Sequence, residues 1–115
     1  MKLTGKCKDD FNEWFKKYDG IELFDLSVDI QYGAYISVED VWDNLPDSFK
    51  FGVYVDFFDS VGIKIHFLIS SNGDFIAVEL ILVETFERIK LNAKETRPEA
   101  RTEAIKKANE IYNQR

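Results

Sequence analysis

The clearest pattern in this chain is a pair of alternating runs on either side of a turn. Ile63, Ile65, Phe67 and Ile69 take every second position, Asn72-Gly73 follows, and Ile76, Val78, Leu80 and Leu82 alternate again. Alternation of this kind lines one face of a strand with apolar side chains. Asn-Gly favours a two-residue type I′ turn, because both central residues of that turn need positive φ. Counting outward from the turn pairs Ile69 with Ile76, Phe67 with Val78, Ile65 with Leu80 and Ile63 with Leu82. Both runs then share one buried face. A third strand over 87–93 adds Ile89 and Leu91 to it.

Helical spacing dominates both ends of the chain. Leu3, Cys7, Phe11, Trp14, Phe15 and Tyr18 form one apolar stripe, with Thr4 as N-cap and Gly20 as the stop. Asp9, Asp10 and Glu13 towards the start, and Lys16 and Lys17 towards the end, would suit the helix dipole. Near the C-terminus, Thr96 and Glu99 make a capping-box pair and Pro98 falls in the first turn. Ala100, Ala104, Ile105, Ala108, Ile111 and Tyr112 follow as the stripe, and the alanines allow close approach to a sheet.

The middle carries competing patterns. Phe49, Phe51, Val53, Val55 and Phe57 alternate as in a strand, while Leu45, Phe49, Val53 and Phe57 recur as in a helix. Pro46, Asp47 and Gly62, as start and stop signals, favour a helix over 46–60. It would be apolar on most sides, which implies deep burial or a partner. Before it, Val28, Ile30, Tyr32, Ala34 and Ile36 alternate as a strand weakened by Gly33. Ser37 and Asp40 then resemble the cap of a short helix over 37–44 that carries Val41 and Trp42. The expected fold is a single α+β domain over 1–115. A three-stranded antiparallel sheet has helices packed on one face, in α-β-β-β-α order across 46–113 with the last helix C-terminal.

Composition narrows the chemistry. With 115 residues, 45% hydrophobic and 15% aromatic, the chain can bury a core and does not read as disordered. Cys7 is the one cysteine and His66 the one histidine, which excludes an internal disulfide and cysteine-clustered zinc and disfavours two-His metal sites. Cys7 lies on an apolar stripe, so a buried, inert thiol is expected. His66 faces Glu79 across the hairpin, but no nucleophile accompanies that pair, and such cross-strand pairs are mostly structural. Asp56 and Asp59 alone fall short of a hard-cation site. Glycine-rich phosphate loops are absent. The expectation is a protein without enzymatic activity or cofactor. No apolar signal core stands out, and no run reaches the ~20 apolar residues of a membrane helix, so a soluble cytoplasmic protein is expected.

Net charge is −6 overall, but residues 19–60 hold ten acids against Lys50 alone, a net of −9. That stretch would repel phosphate backbones and attract cationic partners.

Three phrases carry a resemblance. The opening MKLTGKCKDDFNEWF (1–15), the central LPDSFKFGVYVDFFDSVGI (45–63) and the closing ETRPEARTEAIKKANEIYNQR (95–115) resemble small uncharacterised phage and prophage proteins of Bacteroidetes-type bacteria. The resemblance implies a phage or mobile-element origin and a bacterial host cytoplasm. It brings no activity and no functional residues with it.

Protein binding is therefore the expected role, with a basic host protein as partner and Asp40, Trp42, Asp43, Asp56 and Asp59 as candidate contacts. Self-association through the apolar helix 46–60 is a variant of it. The alternative is a module like the double-stranded-RNA-binding domains, which share the α-β-β-β-α order. Arg97, Arg101, Lys106 and Lys107 would then contact phosphates. Interleaved Glu95, Glu99 and Glu103 and the net charge weigh against nucleic acid.

Overall fold

The alternating runs pair in the register their spacing requires. A computed structural model describes residues 1–18 and 42–115. In chain order these contain α1 (Gly5–Phe15), α2 (Asp47–Ser60), β1 (Ile63–Ile69), β2 (Ile76–Leu82), β3 (Glu87–Lys90) and α3 (Arg97–Asn113). The expected strand around 28–36, and most of the short helix over 37–44, lie outside the described residues, although Trp42 and Asp43 are helical. The strands form one antiparallel sheet in the order β1-β2-β3. Ile69 faces Ile76, Phe67 faces Val78, Ile65 faces Leu80 and Ile63 faces Leu82.

The hairpin turn is not type I′. Gly73 has a φ of 78°, but Asn72 does not share the positive φ that such a turn demands. Instead the Gly73 N–H donates to the Ser70 carbonyl at 2.9 Å, which centres a turn on Ser71-Asn72. The Asn72 carboxamide oxygen accepts from the Ser70 hydroxyl at 2.7 Å and from the Asp74 N–H at 3.2 Å. The Ser70 hydroxyl in turn accepts from the Phe75 N–H at 3.1 Å. Side-chain acceptors thus do locally what a second left-handed residue would have done. The longer loop is still centred on the Asn72–Gly73 bond, so the register is unchanged.

The third strand is shorter than its hydrophobic pattern suggests. β3 ends at Lys90, although the Leu91 N–H still donates to the Val78 carbonyl at 2.9 Å. Continuing that register would set Ala93 opposite Ile76, yet Ile76 pairs with Lys94. One extra residue is therefore accommodated at 92–93, as in a β-bulge. The turn before β3 holds Phe86 at φ 58° with 84% of its surface exposed. A left-handed conformation costs a residue with a Cβ about 1–2 kcal/mol. Phe86→Gly should accordingly raise stability by about 1 kcal/mol after the entropy that glycine adds to the unfolded chain. An unchanged or lowered thermal midpoint would contradict this account of the turn.

Residues 47–60 resolve their competing patterns as a helix. Pro46 sits at the N-cap position rather than in the first turn, and Gly62, at φ 84°, follows the last turn as expected. Val53, Tyr54, Phe57 and Phe58 are buried. α2 packs on β1, α3 and α1, so its apolar surroundings come from its own chain. α3 packs on β2, and its Ala100, Ala104 and Ala108 are fully buried. At its start the Thr96 hydroxyl accepts from the Glu99 N–H at 3.3 Å and bonds the Glu99 carboxylate at 2.9 Å.

α1 differs from expectation at both ends. It stops at Phe15, before Tyr18, and has no acid in its first turn and no base in its last. Gly20 lies outside the described residues. Thr4 occupies the N-cap position, but its side chain makes no cap bond to its own helix. Two asparagines of α3 take over that task. The Asn109 carboxamide accepts from the Thr4 N–H at 2.9 Å and donates to the Thr4 hydroxyl at 3.0 Å. The Asn113 carboxamide accepts from the Cys7 N–H at 2.8 Å and donates to the Thr4 carbonyl at 2.9 Å. Gly5, at φ 60°, lies so close that an added Cβ would sit 3.3 Å from the Asn113 side chain. Backbone donors that a helix start leaves unsatisfied are here met from another helix.

Candidate binding surface

The helices close over one end of the sheet and leave the other open. Ile63, Val78 and Leu80 are buried, and Ile65, Ile76 and Leu82 are half-buried. Phe67 and Ile69, expected on the same buried face, are 37% and 58% exposed. At the hairpin end the residues that meet the sheet are Phe51 of α2 and Arg97 and Arg101 of α3, so the apolar covering is incomplete. Together with Phe67, Ile69 and Ile76 they line a groove of about 190 Å³. The Phe51 and Phe67 rings lie 5.4 Å apart, and the Arg101 guanidinium stands 5.7 Å above the Phe51 ring. Among the described residues neither Arg97 nor Arg101 forms an ion pair.

The groove borders the sheet edge. The Ser70 N–H donates to the Phe75 carbonyl, and antiparallel pairing alternates. Leu68, His66 and Lys64 therefore turn their backbone groups towards β2, whereas Ile65, Phe67 and Ile69 turn theirs outward. Among the described residues β1 is an outer strand of the sheet.

No family model, no curated protein and no solved structure matches this chain.

The acidic candidates do not gather around one site. Asp40 lies outside the described residues. Trp42 is half-buried, its ring 5.5 Å from Phe11, 5.1 Å from Phe15 and 5.3 Å from Tyr54, so it belongs to the core. Asp43 is exposed, and its carbonyl accepts from the Lys50 ammonium at 3.3 Å. Asp56 accepts from the Tyr18 hydroxyl at 2.8 Å, and Asp59 pairs with Lys64 at 3.3 Å. The basic candidates split as well. Arg97 and Arg101 share the groove, Lys106 is exposed elsewhere on α3, and Lys107 pairs with Glu110 at 3.6 Å. Glu99 and Glu103 line a different cavity with Lys94, Pro98 and Thr102. At about 3.6 residues per turn, positions two apart point to opposite sides of a helix. Charges interleaved in sequence are thus separated in space.

His66 sits opposite Glu79 as the register required. Glu79 is 7% exposed and takes its ion pair from Arg88 at 3.3 Å. Among the described residues no cluster of three or more His, Cys, Asp or Glu is arranged to hold a metal, and no helix is long and apolar enough to cross a membrane.

Cys7 is fully buried, and burial followed by the nearby Asp10 charge pushes its thiol from 9.0 up to about 12. Burial likewise raises the Tyr112 phenol from 10.0 to about 12, helped by its 2.6 Å hydrogen bond to Asp10. Burial also raises Tyr54. The unfolded chain releases these protons first, so their contribution to stability is intact below pH 9 and falls as pH rises towards 12. The urea midpoint of the native chain should begin to drop near pH 9, whereas that of Cys7→Ala should hold level until the tyrosines begin to ionise near 10. Equal pH slopes in the two proteins would rule out the thiol as the first group to act.

Proposed function

We propose that this chain is a non-enzymatic accessory protein that acts by binding another protein through the open hairpin end of its sheet. The observation that carries this reading is the group of exposed apolar side chains there. Phe67 and Ile69 are 37% and 58% exposed along a groove with an aromatic floor, and Leu68 on the other face of β1 and Phe75 in the loop add 42% and 46% exposed apolar surface at the same end. Exposed apolar patches rimmed by polar groups mark interaction surfaces. A phage or mobile-element origin, supported by the resemblance over 1–15, 45–63 and 95–115, would place that partner in a bacterial host. The acidic stretch favours a basic partner, but its described carboxylates are dispersed, and Asp56 and Asp59 already have partners of their own. The groove offers the more concentrated surface.

Affinity capture from bacterial lysate tests the proposal, with Phe67→Ser and Ile69→Ser together as the control. Both side chains are exposed, so the control should fold. A partner held by the native chain and lost by the control is the expected result; failure to recover any reproducible partner would count against protein binding. The α2-β1-β2-β3-α3 order favours a second reading, duplex RNA binding. A low-salt mobility shift with duplex RNA, abolished by Arg97→Glu with Arg101→Glu, would support that reading instead.

A further inference from the structure

Building on the protein-binding reading, we infer that the partner offers an extended acidic-apolar segment that adds to the β1 edge as a strand. It seats one large apolar side chain in the groove and sets a carboxylate against Arg97 and Arg101.

The sheet edge supplies the first argument. Ile65, Phe67 and Ile69 turn their backbone N–H and C=O groups outward, and an added strand would hydrogen-bond to them along its length. Edge strands are usually blunted by charge, proline or a bulge. Lys64 and His66 occupy the first half of β1, but its last three residues, Phe67, Leu68 and Ile69, carry no charge at all. The side chains of Phe67 and Ile69 lie on the groove face, so every second side chain of an added strand would also point to that face. Backbone pairing and side-chain insertion then occur together.

Size and charge choose the occupant. A groove of about 190 Å³ is smaller than the ~300–1,000 Å³ of typical small-molecule pockets and suits a single large side chain. Its rim holds two guanidiniums without an ion pair among the described residues, in a chain of net charge −6. Guanidinium matches carboxylate geometry in paired hydrogen bonds, and the Phe51 ring beneath Arg101 holds it ready. A second copy of this chain fits poorly, since a symmetric pairing of grooves would bring four arginines together. A nucleic-acid phosphate would use the arginines but neither the aromatic floor nor the strand edge.

The test is selection on the full chain from a displayed library of random nine-residue peptides. The expected winners place an aromatic or large aliphatic residue two positions from an Asp or Glu, so that both side chains meet the groove face. On binding, a synthetic winner should shift the backbone amide resonances of Ile65, Phe67 and Ile69. Its affinity should fall tenfold or more for Arg97→Glu with Arg101→Glu, and less for the paired glutamine variant, with unchanged thermal midpoints. Enrichment of basic peptides, no enrichment, or winners indifferent to both arginine variants would overturn this inference. Two further outcomes would overturn it in favour of another occupant: sedimentation of the chain alone as a dimer through β1, or duplex RNA competing with the winners. If a lysate partner is still lost with Phe67→Ser and Ile69→Ser, protein binding stands while this mode of binding falls. If no partner is captured either, both fall together.

Discussion

Phe57→Ala is expected to lower the free energy of unfolding by about 3–5 kcal/mol, seen as a fall in the urea midpoint. Phe57 is 1% exposed and sits where α1, α2 and α3 meet. Its ring lies 5.4 Å from Phe11, 5.5 Å from Trp14, 5.2 Å from Phe58 and 5.8 Å from Tyr112. Truncation leaves a void walled by rings from all of these helices, and a rigid aromatic lining collapses poorly into a gap. Domains of this size commonly have about 5–15 kcal/mol in hand, so the loss is a large share of the total. Phe75→Ala, in the open hairpin loop, should cost far less. Comparable losses for the two would mean that Phe57 does not organise the core.

The second large effect concerns polar groups. Asn109→Ala should cost about 2–3 kcal/mol, because it removes both bonds to Thr4 and leaves a helix-start donor short of a partner. Asn109 is 8% exposed, so water replaces those bonds poorly. Asn109→Asp keeps an acceptor for the Thr4 N–H and loses the donor to its hydroxyl, so it should fall between the native chain and the alanine variant. Hydrogen exchange at the Thr4 and Cys7 amides gives a local readout. Asn109→Ala should speed exchange at Thr4 first, whereas Asn113→Ala should speed it at Cys7. Unchanged exchange at both amides would show that α1 is capped by other means.

These two predictions mark where the sequence could and could not be read. The hairpin register was legible because alternating residues admit only one pairing about the Asn72–Gly73 bond. The turn type was not, because it depends on hydrogen bonds from Ser70 and Asn72 side chains that a dipeptide preference ignores. α3 was legible from Thr96, Glu99 and its alanine stripe. The helix over 47–60 was decided only by its end signals, since apolar residues on most of its sides satisfy both periods. Asn109 and Asn113 read as ordinary polar positions on α3, because their partner, the backbone around Thr4, lies more than a hundred residues away. Their spacing of four on the flank of an apolar stripe was the only available signal. Arg97 and Arg101 were visible as basic residues, but their neighbours in space were not. Phe51 and Phe67 belong to elements far apart in the chain, and the charge pattern alone suggested that Glu99 and Glu103 would cancel the arginines.

The clamp on α1 also sets an order of events during synthesis. α1 leaves the ribosome well before α3, and its amide donors at Thr4 and Cys7 wait for carboxamides made 105 and 106 residues later. An isolated helix of this length is marginal in water. The start of α1 must therefore lack these caps until α3 emerges, while the hairpin, whose contacts are local, can form first. A nascent chain stalled with β3 outside the ribosome and α3 still inside it should hold a protected hairpin and unprotected Thr4 and Cys7 amides. Pulsed hydrogen exchange on stalled chains would show those two amides gaining protection only after Asn109 and Asn113 have emerged.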